Sequence, residues 1–324
     1  MNPSTEHRLD GLEPDNLLAF LALLGLLRAL EEVHAGWRPR VRWTADEPPV
    51  RPVLNLSTAM TKETLTAAVA AGLTELVLRH DFKPLKDLKL SPEDATERLC
   101  AAAHAGRYTA DLWAALVSDA AVRERNRATE VEPTPLCLLF GQGHQHFLER
   151  LTSVPQEATP PLRRVNGKKS AITEVECLRE AVFAPWTRPD ATHSFRWDPH
   201  EDVRYALRGT DPTDSKTKER TQHGANRLAA VGLSVLTVVP RSRGGVGRLD
   251  VLGGSRDVDG SFSFTWPIWR ESISLATIRS LLGYQGLDDV ATRAALGIFE
   301  RRRARRISSG KFMNFTRAES VPEE

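Results

Sequence analysis

The 324-residue chain is poor in cysteine, in tyrosine and in recognisable catalytic signatures. Its three cysteines, Cys100, Cys137 and Cys177, are far apart, odd in number and never spaced C-x-x-C. This excludes a disulfide framework and a zinc knuckle, and it fits a reducing compartment. No Walker motif, H-E-x-x-H or nucleophile elbow occurs, so the common routes to phosphoryl, zinc and serine chemistry leave no mark here. Long apolar runs are missing too. The stretch 17–30 is interrupted by Gly25 and Arg28 and follows the acidic residues Asp10, Glu13 and Asp15 rather than a basic segment. It is too short to span a bilayer and lacks the flanks of a signal peptide. The expectation is a cytoplasmic protein with no membrane partner and no cofactor.

What is present is an uneven charge. The whole chain carries only +2, but residues 241–317 hold thirteen Arg and one Lys against five Asp and two Glu, a net +7. Residues 318–324 add −3, which leaves the first 240 residues at −2. Such asymmetry concerns partners rather than fold. Its centre is R-R-R-A-R-R at 301–306, comprising Arg301, Arg302, Arg303, Arg305 and Arg306. Five guanidiniums in six residues repel one another unless an anion lies among them, and the planar fork of arginine suits phosphate oxygens. A structural reading competes: the apolar run 294–299 predicts a helix whose last turn the arginines would stabilise. Lys311, Phe312, Phe315 and Arg317 follow and mix aromatics with cations. That combination suits stacking on unpaired bases, although both phenylalanines also suit a core.

Periodicity predicts a helix over 11–35, capped by Asp15 or Asn16, with Leu17, Leu21, Leu24 and Leu27 on one face. Further helices are predicted at 61–79, at 91–104 with Ser91 as cap and Pro92 at the first position, and at 110–119. Residues 38–43 read as a strand and 45–52 as a loop. Residues 152–173, rich in Pro, Arg and Lys, read as an exposed loop, which makes Lys168 and Lys169 candidate backbone contacts. Residues 210–222 contain no large apolar side chain and read as a mobile loop. Beyond them, 225–239 reads as a helix running into a strand, 244–254 as two short strand pieces, and the alternating S-F-S-F-T-W at 261–266 as a strand. Ser274 caps a helix to 282. The order predicts an α+β fold with a mainly helical domain over 1–155 and a mixed strand and helix domain over 156–324.

Four segments are candidates for chemistry. Residues 135–148, P-L-C-L-L-F-G-Q-G-H-Q-H-F-L, pass an apolar run into a Gly-x-Gly turn and then a helix carrying His144 and His146. Glycines let a ligand approach the backbone, but the spacing matches neither a P-loop nor a dinucleotide fingerprint. Residues 193–208 collect Asp198, Glu201 and Asp202 with His193 and His200, a set that a Mg²⁺-dependent nuclease would use. The alternative there is an Asp-Pro turn opening a helix, with the acids in its first turn paired to Arg204 and Arg208. In G-A-N-R-L-A at 224–229, Asn226 and Arg227 stand where a helix start grips a phosphate backbone or a base edge, or where Gly and Asn merely cap the helix. F-T-W-P-I-W at 264–269 reads as a stacking platform or as core.

Taken together, L-D-G-L-E-P-D-N-L-L-A-F-L-A-L-L-G-L-L-R-A-L (9–30), F-R-W-D-P-H-E-D-V-R-Y-A, G-A-N-R-L-A, W-P-I-W with S-L-A-T-I-R-S-L-L, and the closing R-R-A-R-R-I with N-F resemble large-subunit-type proteins of type I-G CRISPR systems, formerly called I-U. The resemblance covers about half the chain in scattered short blocks. It implies a non-catalytic subunit of an RNA-guided DNA surveillance complex. Such a subunit contacts guide RNA or target DNA and the short flanking motif, neighbours other effector subunits, and helps recruit a helicase-nuclease. The chain is short for a large subunit, so an accessory role beside the helicase-nuclease also fits. On this reading Asn226, Arg227, the five arginines of 301–306, Lys311, Lys168 and Lys169 touch nucleic acid. The alternatives are a metal-dependent nuclease using the acidic cluster and a protein-interaction adaptor with a basic tail.

Overall fold

Asn16 opens the first helix, α1 (Leu17–Val33), by accepting a hydrogen bond from the Ala19 N–H at 3.3 Å. The helix is rich in leucine and alanine, and every residue from 17 to 27 is buried. A helix apolar on all sides belongs inside a protein, so the single apolar face expected for it is too narrow a description. The computed structural model describes residues 2–125, 128–139, 146–161, 163–165, 168–201, 220–243, 246–309 and 312–322.

Around α1 the chain runs β1 (Ser4–Arg8), β2 (Arg40–Trp43), β3 (Pro52–Met60), α2 (Lys62–Val77), α3 (Pro92–Ala105), α4 (Arg107–Ala114), β4 (Val122–Arg125) and β5 (Ala128–Val131). Then come α5 (Phe147–Gln156), β6 (Arg163–Val165), β7 (Lys168–Ser170), α6 (Glu174–Phe183), β8 (Asp190–Ala191), β9 (Arg220–Thr221) and α7 (His223–Gly232). The remainder is β10 (Val238–Arg243), β11 (Val246–Val251), β12 (Gly254–Arg256), β13 (Phe262–Trp269), β14 (Ile273–Ser274), α8 (Leu275–Gly283), α9 (Val290–Ala295), β15 (Ile298–Ser309), β16 (Phe312–Phe315) and β17 (Glu319–Ser320). The fold is α+β.

The N-terminal part carries strands as well as helices. β1, β3 and β2 form an antiparallel sheet there, completed by β14 from the C-terminal part through Ile273 opposite Val41. β1 is short and mostly exposed, so S-T-E-H-R shows none of the apolar alternation that marks a half-buried strand. A second sheet, ordered β12-β13-β15-β16 with β17 beside β15, holds the basic region. The boundary drawn at residue 155 is crossed repeatedly. One hydrophobic cluster runs from Leu9 to Ala318, and the indole N–H groups of Trp266 and Trp269 donate to the carbonyls of Pro14 and Val41.

α1 and α7 touch backbone to backbone. A Cβ at Gly25 would lie 1.8 Å from the Leu228 carbonyl oxygen, and one at Gly232 would lie 2.0 Å from that of Leu21. Only glycine permits this crossing. The other sides of α1 are covered by α2, where Gly72 meets Ala29, and by β13, where Trp266 stacks on Phe20 at 5.3 Å. Gly25→Ala is expected to cost at least about 2 kcal/mol by overpacking, read as a lowered urea midpoint; unchanged stability would refute this account of the crossing.

A buried histidine joins α2, α4 and α5. His80 has no exposed surface, and its Nδ1 lies 2.8 Å from the Leu151 carbonyl oxygen. Since a carbonyl only accepts, Nδ1 carries the proton and Nε2 accepts from the Tyr108 hydroxyl at 2.6 Å. Burial holds the imidazole neutral and pushes its pKa from 6.5 down to about 4. A depressed folded-state pKa contributes stability above pH 6.5 that is lost as pH falls toward 4, worth about 3 kcal/mol across that window. His80→Gln is therefore expected to flatten the stability-versus-pH slope between 6.5 and 4 by about one proton, measured by urea titration at several pH values. His7 and His223, also lowered by burial, keep a residual slope.

Candidate polyanion-facing surface

The arginine-rich segment is a strand. α9 ends at Ala295, Gly297 takes φ 68°, and β15 starts at Ile298. A glycine in the left-handed region stops a helix, so the expected helix through 294–299, and the arginines as its last turn, are not found. On a strand successive residues alternate between faces, and this divides the five arginines. The register sets Ala304 opposite Phe264 and Arg302 opposite Trp266, whereas Arg301, Arg303 and Arg305 stand opposite Pro267, Thr265 and Ser263. Phe264 and Trp266 are core, so Arg302, Ala304 and Arg306 share the inner face.

The inner pair have structural partners. Arg302 Nη2 lies 2.7 Å from Glu300 Oε1. Arg306 donates to the Pro135 carbonyl at 3.1 Å and lies 5.5 Å over the Phe262 ring. Burial, with Arg256 nearby, holds its guanidinium below the ordinary arginine value. Arg301, Arg303 and Arg305 form the opposite row with a repeat of about 6.8 Å, in which the Arg301 side chain is itself only 11 % exposed. Arg301 is tied to Asp288 at 2.6 Å. Arg303 reaches Thr265 Oγ1 at 3.4 Å, with Glu319 of β17 directly opposite in register. Arg305 is exposed. Among the described residues no carboxylate lies within ion-pair distance of Arg303 or Arg305.

The other expected contacts are placed differently. Asn226 is fully buried and Arg227 is 2 % exposed. Asn226 accepts from the Phe195 N–H and donates to Thr221 Oγ1 and the Gln222 carbonyl. Arg227 donates to the carbonyls of Pro155 and Ala158 and pairs with Glu174 at 2.6 Å. Neither presents a donor to an external backbone. They hold α7 to the loops around it, because a buried cation needs both charge and hydrogen-bond partners. Within the segment expected as an exposed loop, Lys168 and Lys169 lie in β7, paired with Val165 and Arg164. Their side chains lie outside the described residues, and so does Lys311.

Asp198 is likewise committed. Its buried carboxylate accepts from Arg188 Nε at 2.6 Å and Nη2 at 3.1 Å, from Asn16 Nδ2 at 3.0 Å and from the His200 N–H at 3.0 Å. Glu201 accepts from the Thr221 hydroxyl, and Asp202, Arg204 and Arg208 lie outside the described residues. Among the described residues, no group of three or more His, Cys, Asp or Glu is placed to hold a metal ion. Arg188 and Arg196 take φ 52° and 63°, a region costly for side chains other than glycine. Phe195 and Trp197 stack at 4.5 Å, and Trp197 donates to the Leu136 carbonyl. This block therefore locks the start of α1 to the middle of the chain.

The remaining candidates also resolve into core. Phe264, Trp266 and Trp269 are buried, as is Phe315, which packs on Phe262 at 6.2 Å. Residues 140–145, with the Gly-x-Gly turn and His144, lie outside the described residues. His146 precedes α5 and contacts Asp87 at 2.7 Å. Residues 210–219 of the expected mobile loop also lie outside, while Thr221 and Gln222 are buried. Two further exposed arginines, Arg241 and Arg248, lie on the paired strands β10 and β11; their one sequence signal is the Gly-Gly pair within the basic run P-R-S-R-G-G-V-G-R.

Asp198→Ala strips Arg188 and Asn16 of their acceptor and is expected to cost about 2–3 kcal/mol in a urea titration, somewhat below the range for fully buried pairs because Arg188 retains some solvent. A near-neutral effect would reject the locking role. No helix among the described residues is long and apolar enough to cross a membrane. Comparison with protein-family models, curated proteins and solved structures finds no match.

Proposed function

We propose that the chain is a non-catalytic nucleic-acid-binding subunit of a type I CRISPR RNA-guided surveillance complex. The observation that carries the reading is the outer row of β15. Arg303 and Arg305 stand two residues apart on one face, without an ion-paired carboxylate among the described residues, and Arg301 continues the row. A regular line of guanidiniums on a sheet meets successive anionic groups of an extended backbone and reads no base, so its affinity is electrostatic and independent of sequence. The family resemblance supplies the assembly: guide RNA or target DNA as ligand, with other effector subunits and a helicase-nuclease as neighbours. The metal-nuclease alternative loses support because the Asp198 oxygens are occupied by four N–H donors.

Each phosphate neutralised by a cation releases condensed counterions, so binding weakens linearly on a log-log scale with salt. Arg303→Ala/Arg305→Ala is expected to bind a single-stranded or duplex probe more weakly and to reduce the salt slope by about 1.5. The fold should be retained, since both side chains point away from the core. A wild-type chain, alone or within its complex, that binds DNA and RNA without salt dependence would sink the proposal. A pull-down of protein partners that survives nuclease treatment would instead favour the adaptor reading.

A further inference from the structure

We infer that Arg241 and Arg248 form a second phosphate clamp on the β10–β11 hairpin, an inference that rests on the nucleic-acid reading above. The register sets Arg241 directly opposite Arg248. Opposed residues of an antiparallel pair share a face with Cβ atoms about 5 Å apart, and like charges so placed repel. An anion between them turns that repulsion into two attractions. Both side chains are about half exposed, at 55 % and 50 %.

Their carboxylate partners lie beside them, Asp250 on the same face of β11 as Arg248. Asp250 Oδ2 lies 3.3 Å from Arg241 Nε and Glu132 Oε1 lies 3.6 Å from Arg248 Nη1, while the two acidic side chains are only 6 % and 9 % exposed. Both separations exceed that of a strong charge-assisted hydrogen bond, about 2.7–2.9 Å. Asp250 is also shared with Arg256, whose Nε is 2.8 Å away. Arg306 adds a further cation, since it and Arg256 both lie 5.5 Å over Phe262. Among the described residues, Arg241, Arg248, Arg256 and Arg306 thus lie near Asp250 and Glu132, and Arg241 and Arg248 are about half exposed.

The base of the clamp is packed against the core. Leu249 and Val251 are buried. A Cβ at Gly247 would come within 3.1 Å of both the N and the O of Val122, so β11 seats its backbone directly on β4. Arg256 Nη2 donates to the Leu249 carbonyl at 3.0 Å and pins the strand from the other side. Two planar forks on a fixed support suit a tetrahedral phosphodiester, whose oxygens accept from both at once.

The test uses the full chain, a fluorescent single-stranded oligonucleotide and a salt series. Arg241→Ala/Arg248→Ala is expected to lower the salt slope by about 0.7, one phosphate on a single strand, and to lower Tm without nucleic acid, because the nearly buried Glu132 and Asp250 each lose a cation. Arg241→Lys/Arg248→Lys keeps both charges and should retain the slope. Should the alanine pair fail to fold, Arg241→Gln/Arg248→Gln is read against the lysine pair instead. An unchanged slope in the neutral variant, while the wild type and the Arg303→Ala/Arg305→Ala variant differ, overturns the clamp and leaves the strand surface intact. Salt-independent binding by the wild type is a different failure: it removes the function proposed above, and the clamp with it.

Discussion

The crossing of α1 and α7, made backbone to backbone at Gly25 and Gly232, sets the position of both sheets. With the two helices fixed at contact distance, the Phe20 end of α1 can only meet Phe264 and Trp266 on β13. Further along α1, Arg28 reaches Asp111 of α4 at 2.7 Å. The start of α7 is then left facing the loops at 155–158 and 190–195, to which His223, Asn226 and Arg227 bond. Dispersion and burial provide the stabilisation, but the geometry comes from two missing side chains.

Buried carboxylates do the joining elsewhere. Asp198 gathers Arg188, Asn16 and the His200 amide. Asp190 gathers Arg163 and the His223 amide, and Asp111 gathers Arg28, Arg107 and Arg279. Each ties together segments far apart in sequence, where breaking one partner would strand a charge in a low dielectric. Much of the chain's arginine is held in this way. Within 241–317, Arg256, Arg279, Arg293 and Arg306 bond to protein acceptors, so a net charge of +7 in sequence becomes a much smaller exposed surface. The surface proposed to face a polyanion comprises alternate residues of one strand and one hairpin.

The sequence made several local features legible because their causes are local. Ser91, Thr61 and Ser274 cap helices through their own hydroxyls, and the alternation before Trp266 marks β13. The α+β class followed from the same signals. The state of 301–306 was not legible, because an arginine block has no apolar period. Ala304, flush against Phe264, is the one position that betrays a strand, and only its cross-strand partner shows it. The burial of Asn226 and Arg227 was hidden for a similar reason: their acceptors are carbonyls at Pro155, Ala158 and Gln222, which no pattern within G-A-N-R-L-A encodes.

The burial of α1 from Leu17 to Leu27 also governs the order in which the chain can assemble. This helix is synthesised long before α7 and β13, which cover it, and before Ala318, whose N–H donates to the Asp15 carbonyl just ahead of the helix cap. Until the chain has passed Gly232, the most apolar stretch of the protein lacks the helix that crosses it. Contacts so distant in sequence close late and slowly, and exposed apolar helices attract one another meanwhile. The same packing that buries this helix in the finished core leaves it, while nascent, waiting on segments not yet made.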